Sequence, residues 1–288
     1  MYDKFSFAKG YRARAIFVIC NTIFLILLCI LMLVPILKVL SDSFDAAGNY
    51  ELRFFPKVAT LDAYRLILST ESLFRPFMIS IFTTVVGTIL ALTISSMASY
   101  VLTQKEMPGR NFFTYAILIT MIFHGGMIPT YLVIRSLGLL NTLWAVILPM
   151  TCNTYNLILL KNFFSTIPQG IVESAEIDGC TPLMIYTKMV LPLSKAGLAA
   201  IGLFYAVAYW NTFFNFIIYI NNPDLHNFQV RLRELILTDD FLQRGTFTIY
   251  PQTVQNACII VSIIPVMILY PFLQKHFVKG VNLGAIKG

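Results

Sequence analysis

The chain has 288 residues, 57% of them hydrophobic and only 12% charged, with a formal net charge of +7. Soluble domains carry about 45 to 50% apolar residues, so this composition argues against a soluble core and for one helical membrane domain over 1-288. The basic residues lie scattered between apolar blocks without a stripe or aromatic-interleaved patch, which argues against a nucleic-acid partner and for a lipid bilayer as surroundings.

Six segments have about the 20 apolar residues needed to cross a ~30 Å hydrocarbon core. The first, Ile16 to Leu40, follows Lys4, Lys9, Arg12 and Arg14. It exceeds the roughly 7 to 15 residues of a cleaved signal's apolar region and reads as a retained signal anchor. The second, Phe77 to Leu102, places Gly87, Ala91, Ser95 and Ser99 at every fourth position. On a helix this makes a flat stripe for close helix packing, not a binding site. The third, Phe112 to Ile134, contains His124, Gly125, Gly126 and Pro129, and the fourth, Leu143 to Leu160, contains Pro149. These are kink residues whose freed backbone groups need protein or a wet cavity. His124 is ionisable within a span, a functional candidate by type, though its glycine neighbours favour helix packing. Ala196 to Ile220 and Ala257 to Leu273 complete the set.

The positive-inside rule places the N-terminal cluster with Lys105, Arg110, Lys161, Lys188, Lys195, Lys275, Lys279 and Lys287 on one side, so both termini are expected in the cytoplasm. The opposite side receives the connections Ser41 to Pro76, Gly138 to Thr142 and Asn221 to Asn256. Cys20, Cys29, Cys152 and Cys258 lie in apolar segments and Cys180 in a polar loop, without C-x-x-C spacing, which argues against zinc or a disulfide framework.

The loop 161-195 between the fourth and fifth spans is too polar to cross and too patterned to be a linker. Pro168 suits a first helical turn, Ile171, Val172 and Ala175 share a face, and Gly179 can supply the left-handed residue that ends the helix. Thr181 and Pro182 then read as N-cap and first position of a second short helix. Leu183, Tyr186 and Val190 lie on its face, and Pro192 stops it. Two short helices joined at a glycine make a compact handle that a partner's groove can grip.

Glu173-Ser174-Ala175, then Asp178-Gly179, then Leu191-Pro192 resembles the EAA loop of ABC importer permeases, whose pattern is E-A-A, D-G and a downstream L-P; Ser174 stands for the middle alanine. Gly126-Met127-Ile128-Pro129-Thr130-Tyr131, Leu137 to Thr142, Tyr209-Trp210-Asn211 and the closing Lys279-Gly280 and Lys287-Gly288 extend the likeness over nearly the whole chain. Together they are similar to the carbohydrate-uptake branch, the maltose-type and LplC/YtcP-type oligosaccharide importers.

The resemblance implies an all-α integral membrane protein with six transmembrane helices, the type I ABC importer permease fold and cytoplasmic EAA coupling helices. It also implies a multi-pass place in a bacterial cell membrane. Its implied partners are a second homologous permease, two ATP-binding subunits that hold ATP and Mg, and an extracytoplasmic sugar-binding protein. No cofactor or metal is expected on this chain. Glu173 matches the acid that pairs with a basic group in the ATPase cleft, and Gly179 the glycine that permits the bend. The tail 274-288, with Lys279, Gly280, Lys287 and Gly288, matches a segment reaching the ATPase interface. The Asn221 to Asn256 loop resembles one that probes the captured sugar in the binding protein.

No G-x-x-x-x-G-K-[ST] phosphate loop occurs, and His124, His226 and His276 are too dispersed for a hydrolase, so catalytic residues are not expected and ATP hydrolysis is assigned to a separate subunit. The alternative is an ion-coupled secondary transporter or another multispan membrane protein that uses no ATP, but proton-coupled carriers usually need buried acids and the six spans contain no Asp or Glu. Sugar recognition combines aromatic faces with amides, so Tyr205, Tyr209, Trp210, Asn211 and Asn215 of the fifth span and Asn153 and Asn156 of the fourth are candidates for the substrate pathway. Asn211 and Asn215, four residues apart, are expected to share one helical face with Phe204 and Ala208.

Overall fold

A computed structural model describes residues 6–47, 54–237 and 250–284, with side chains over 14–47, 54–237 and 250–269. The described residues are nearly all helical, and their extended pairing is one isolated bridge between Asp45 and Ala59. Among the described residues, three continuous helices are long and apolar enough to cross a membrane: α1 (Ser6–Asp42), α3 (Glu71–Thr103) and α14 (Pro251–Gly284). At 1.5 Å per residue α3 alone extends about 50 Å. On α1, large apolar side chains stand uncovered, Phe17 at 69% and Leu31 at 75% exposure, as suits a helix whose solvent is hydrocarbon.

The other three predicted spans are interrupted. The third consists of α4 (Arg110–Ile122) and α5 (Met127–Ser136), bent by 117°. Gly126 stands at φ +84° and ψ 177° between them, a conformation open mainly to glycine. A Cβ at Gly125 or Gly126 would meet nothing within 4 Å, so these glycines break the helix rather than pack it, contrary to the expectation drawn from His124's neighbours. The fourth consists of α6 (Trp144–Ile147), a 3-10 turn over Leu148–Met150 that contains Pro149, and α7 (Thr154–Ser165). The fifth stops at the end of α11 (Lys195–Trp210) and resumes as α12 (Phe214–Tyr219).

The chain divides into two compact units, 1–67 with 239–261 and 68–238 with 262–288. In the first, the Asp45 carboxylate accepts from the amides of Ala47 at 3.0 Å and Lys57 at 3.3 Å. Thr253 donates to the Asp45 carbonyl at 2.8 Å. Tyr64, on α2 (Asp62–Ser69), meets Ser43 at 2.6 Å and the ring of Phe44 at 5.2 Å between centroids.

In the second unit α3 is the helix on which α7 and α11 pack. Its small-residue stripe makes that approach: a Cβ on Gly87 would lie 2.6 Å from the Tyr209 ring, Ala91 is wholly buried, Ser95 meets the Tyr205 hydroxyl at 2.6 Å and Ser99 donates to Leu157 O at 2.8 Å. Gly197 does the same between α11 and α7, where a Cβ would come 2.6 Å from Phe163. In an apolar solvent such close contact and the hydrogen bonds it permits hold helices together. Beyond α12, a 3-10 turn (Pro223–Leu225) leads to α13 (Phe228–Leu237), which packs on α3 and donates from the Phe228 amide to Ser80 Oγ at 2.9 Å.

Candidate functional site

The predicted handle is present as α8 (Gln169–Ile177), α9 (Pro182–Ile185), a π-turn over Tyr186–Val190 and α10 (Leu191–Leu193). Pro168 is the residue before α8 rather than inside its first turn. At the other end Gly179, at φ +79°, donates to Glu176 O at 3.0 Å, and Cys180 donates to Ala175 O at 2.9 Å. These two bonds are the glycine-terminated closure that satisfies the last carbonyls of a helix. Thr181 caps α9, its hydroxyl accepting from the Met184 amide at 3.3 Å, as the cap signal predicted.

Pro192 does not stop the second helix. The Leu191 amide instead bonds back to Tyr186 O across the wider turn, and α10 runs through the proline to Leu193. A proline lacks the donor for an α-helical bond to the carbonyl four residues earlier, and a π-turn is one way around that gap. The wider turn also lags in rotation, so the buried face is Ile185, Tyr186 and Val190, while Leu183 is 64% exposed. After Ser194 the chain turns by 82° into α11.

Ala175 is 2% exposed and belongs to the same core as Ile185, Tyr186, Val190, Leu160, Phe164, Ile201 and Tyr205, with Val172 and Leu191 packed against it. Glu173, Ser174, Asp178 and Pro192 are exposed. Ser174 turns its hydroxyl back to Gly170 O at 2.7 Å, so the small residue at this position costs α8 no unmet polar group. Ile177, at 86%, and Leu183 stand out beside the acids, giving a surface both apolar and negatively charged. Glu173 and Glu176 border a groove of about 530 Å³ with Lys105 and Arg110, across which Lys105 donates to Gln169 at 2.8 Å.

Sequence reasoning did not identify the link from this handle to α3. Tyr186 meets Ser96 through their hydroxyls at 2.7 Å in a buried contact, the rings of Tyr100 and Tyr186 lie 5.2 Å apart, and the Tyr100 hydroxyl donates to Pro182 O at 3.2 Å. The available signal was Ser96 and Tyr100, polar groups inside an apolar span that needed partners.

The candidate pathway residues divide. Tyr205 (2% exposed) joins Ser95 and accepts from the Asn153 amide at 3.2 Å. Tyr209 (0%) donates to Ile147 O at 2.8 Å, and the Trp210 indole donates to Ser262 O at 2.9 Å. All three hold helices together within this chain. Asn153 caps α7, accepting from the buried Asn156 at 3.0 Å. Asn211 and Asn215 do not share a helical face with Phe204 and Ala208, because α11 ends at Trp210 and Phe213 interrupts the helix at φ −128°. Asn211 is exposed and Asn215 half-buried. Of the predicted tail contacts, Lys279 and Gly280 lie in the helical backbone of α14; Lys287 and Gly288 lie outside the described residues.

Residues 110–283 match the family described as binding-protein-dependent transport system inner membrane component. The chain is 43% identical over 274 residues to the polygalacturonan/rhamnogalacturonan transport system permease protein YtcP of Bacillus subtilis, covering 92% of this chain and 96% of that one. It is 40% identical over 285 residues to protein LplC of the same organism, covering 96% and 97%. A chain from the crystal structure of a bacterial ABC transporter involved in the import of the acidic polysaccharide alginate matches with a TM-score of 0.85 at 31% identity, over 96% of this chain and 99% of that one.

Proposed function

This chain belongs to the binding-protein-dependent transport system inner membrane component family, as a sugar permease subunit of an ABC importer, and from that membership we propose that it translocates an oligosaccharide delivered by an extracytoplasmic binding protein. Membership sets aside the ion-coupled carrier. In this reading the chain pairs with a second, homologous permease and with two ATP-binding subunits, which hold ATP and Mg and hydrolyse the nucleotide. Both termini face the cytoplasm, and the tail around Lys279, Gly280, Lys287 and Gly288 reaches the ATP-binding subunits.

The observation that carries the coupling role is the handle itself. Glu173, Ile177, Asp178 and Leu183 project outward from helices closed at Gly179, while the opposite face is rooted in the transmembrane core through Ala175, Tyr186 and Val190. An outward face of mixed acid and apolar groups fits a basic, apolar-lined cleft, and a rooted inner face passes displacement on to α3 and α11. Closure of the ATP-binding subunits then moves the handles and shifts the permease pair between inward-open and outward-open states. Sugar passes along amides that are at least partly exposed, with Asn153, Asn211 and the half-buried Asn215 better placed than the enclosed Tyr205, Tyr209 and Trp210.

Purification of the chain with its partners, followed by uptake in proteoliposomes, tests the reading. We expect a second permease and ATP-binding subunits to co-purify, and Glu173→Lys to insert normally but lose at least tenfold in ATP-driven uptake. Undiminished uptake by Glu173→Lys overturns the docking role, and sugar uptake by the chain alone without ATP overturns the importer reading.

A further inference from the structure

The third and fourth predicted spans are both broken near their middles, and the two breaks lie side by side. In the third, Phe123 to Gly126 separate α4 from α5. In the fourth, the 3-10 turn and residues 151–153 separate α6 from α7. Thr120, in the last turn of α4, meets Thr154 of α7 through their hydroxyls at 2.9 Å. Thr120 already donates to Ile117 O at 2.7 Å, so Thr154 is the donor between them, and both oxygens keep a lone pair for a further donor.

Neither break is covered by the described residues of this chain. His124, Gly125 and Gly126 are exposed, as are Thr120 and Asn153, and a Cβ at either glycine would meet nothing within 4 Å. Among the described residues the backbone amides of His124, Gly125 and Gly126 have no hydrogen-bond acceptor. Asn153 accepts from the Asn156 amide through Oδ1 at 3.0 Å, which leaves its Nδ2 as a free donor at the neighbouring break. Irregular backbone at membrane depth persists only where protein or water meets its polar groups. Here the chain itself supplies neither acceptor nor cover, so the paired breaks require a wet surface instead of lipid.

Resting on the import reading above, we infer that the paired breaks form a sugar-contacting site midway along the pathway, with the amides of His124 to Gly126 and Asn153 Nδ2 as donors and the hydroxyls of Thr120 and Thr154 as acceptors. A hydroxyl group both donates and accepts, so neighbouring hydroxyls of one sugar ring match a surface that offers both roles. A bare ion uses only one of them, and an acyl chain satisfies neither. The free groups belong to helix ends on two different spans, so a sugar held there is sensitive to any motion of α4 against α7.

Cys152, exposed inside the fourth-span break, serves as a reporter, and Cys29, exposed on α1 among apolar side chains, as the lipid-facing control in the same chain. A thiol reacts as its thiolate, which forms in water and not in hydrocarbon. The complete importer with its binding protein is placed in proteoliposomes and treated with a charged methanethiosulfonate, nucleotide-free and ATP-trapped, and the two cysteine peptides are quantified by mass spectrometry. Cys152 is expected to react at least about tenfold faster than Cys29 in one of the two states, and an oligosaccharide digest of pectin and alginate is expected to slow it by about fivefold or more. Thr154→Val is expected to lower uptake of the digest at sub-saturating concentration by about two- to tenfold, the worth of one hydrogen bond, while Thr154→Ser, which keeps the hydroxyl, transports as the wild type does. Cys152 no more reactive than Cys29 in either state assigns the break to lipid or to cover by another subunit and overturns the proposal. Labelling that a transported digest leaves unchanged, or equal uptake by the Val and Ser variants, overturns it too, and in each of these cases sugar import itself stands. Wild-type uptake of no component of the digest overturns the import reading and this site together.

Discussion

If the handle drives α3 through Tyr186, then substitution there separates ATP hydrolysis from transport in a graded way. The hydroxyl of Ser96 already donates to Thr93 O at 3.0 Å, so in its 2.7 Å contact with Tyr186 the tyrosine is the donor. Tyr186→Phe removes one buried hydrogen bond and leaves Ser96 satisfied as a donor, a cost of about 0.5 to 1.5 kcal/mol. Tyr186→Ala also removes a ring that is 7% exposed and lies against Tyr100, a change of about 3 to 5 kcal/mol for a buried aromatic. Thermal unfolding of the purified complex measures the stability loss, and sugar moved per ATP hydrolysed in proteoliposomes measures coupling. We expect Phe to reduce the ratio by about two- to tenfold, the factors that correspond to about 0.5 to 1.5 kcal/mol, and Ala to reduce it further, by well over about tenfold, while hydrolysis continues. A Tyr186→Ala importer with the wild-type ratio refutes the argument, because force then reaches the membrane helices by another contact.

Gly87→Ala places a Cβ 2.6 Å from the ring of the wholly buried Tyr209, and the overpacking is expected to cost about 1 to 3 kcal/mol, read as a lower unfolding temperature of the complex. The same substitution at Gly125, where a Cβ meets nothing within 4 Å, is expected to leave that temperature unchanged. Gly179→Ala has open space around the new methyl but must hold φ +79°, costing about 1 to 2 kcal/mol. It should weaken co-purification with the ATP-binding subunits more than it lowers the unfolding temperature, and Gly179→Pro should abolish uptake.

Features that depend on neighbours in the chain were legible from the residues. The stripe of Gly87, Ala91, Ser95 and Ser99 announced a packing face because four-residue spacing is a property of any helix, and α7 and α11 do pack on it. Gly179 and Thr181 announced the ends of α8 and α9 because a left-handed closure and a side-chain cap are local events. The breaks were only half legible. Gly126 and Pro149 marked two of them, but nothing in Trp210-Asn211-Thr212-Phe213 by itself stops a helix, and the pairing of Asn211 with Asn215 failed for that reason.

From composition and spacing alone, then, the chain was determined to be a helical membrane protein with a polar two-helix handle, since both follow from the solvent each segment requires. Which aromatic residues line a pathway and which hold the fold was decided by the tertiary structure. Tyr205 and Tyr209 have the composition of a sugar site, yet their hydroxyls are taken by Ser95 and by Ile147 O, 110 and 62 residues away. Tyr186 likewise became a link only through Ser96, 90 residues distant. A polar group in an apolar span must find a partner, and which partner it finds depends on how distant helices come together.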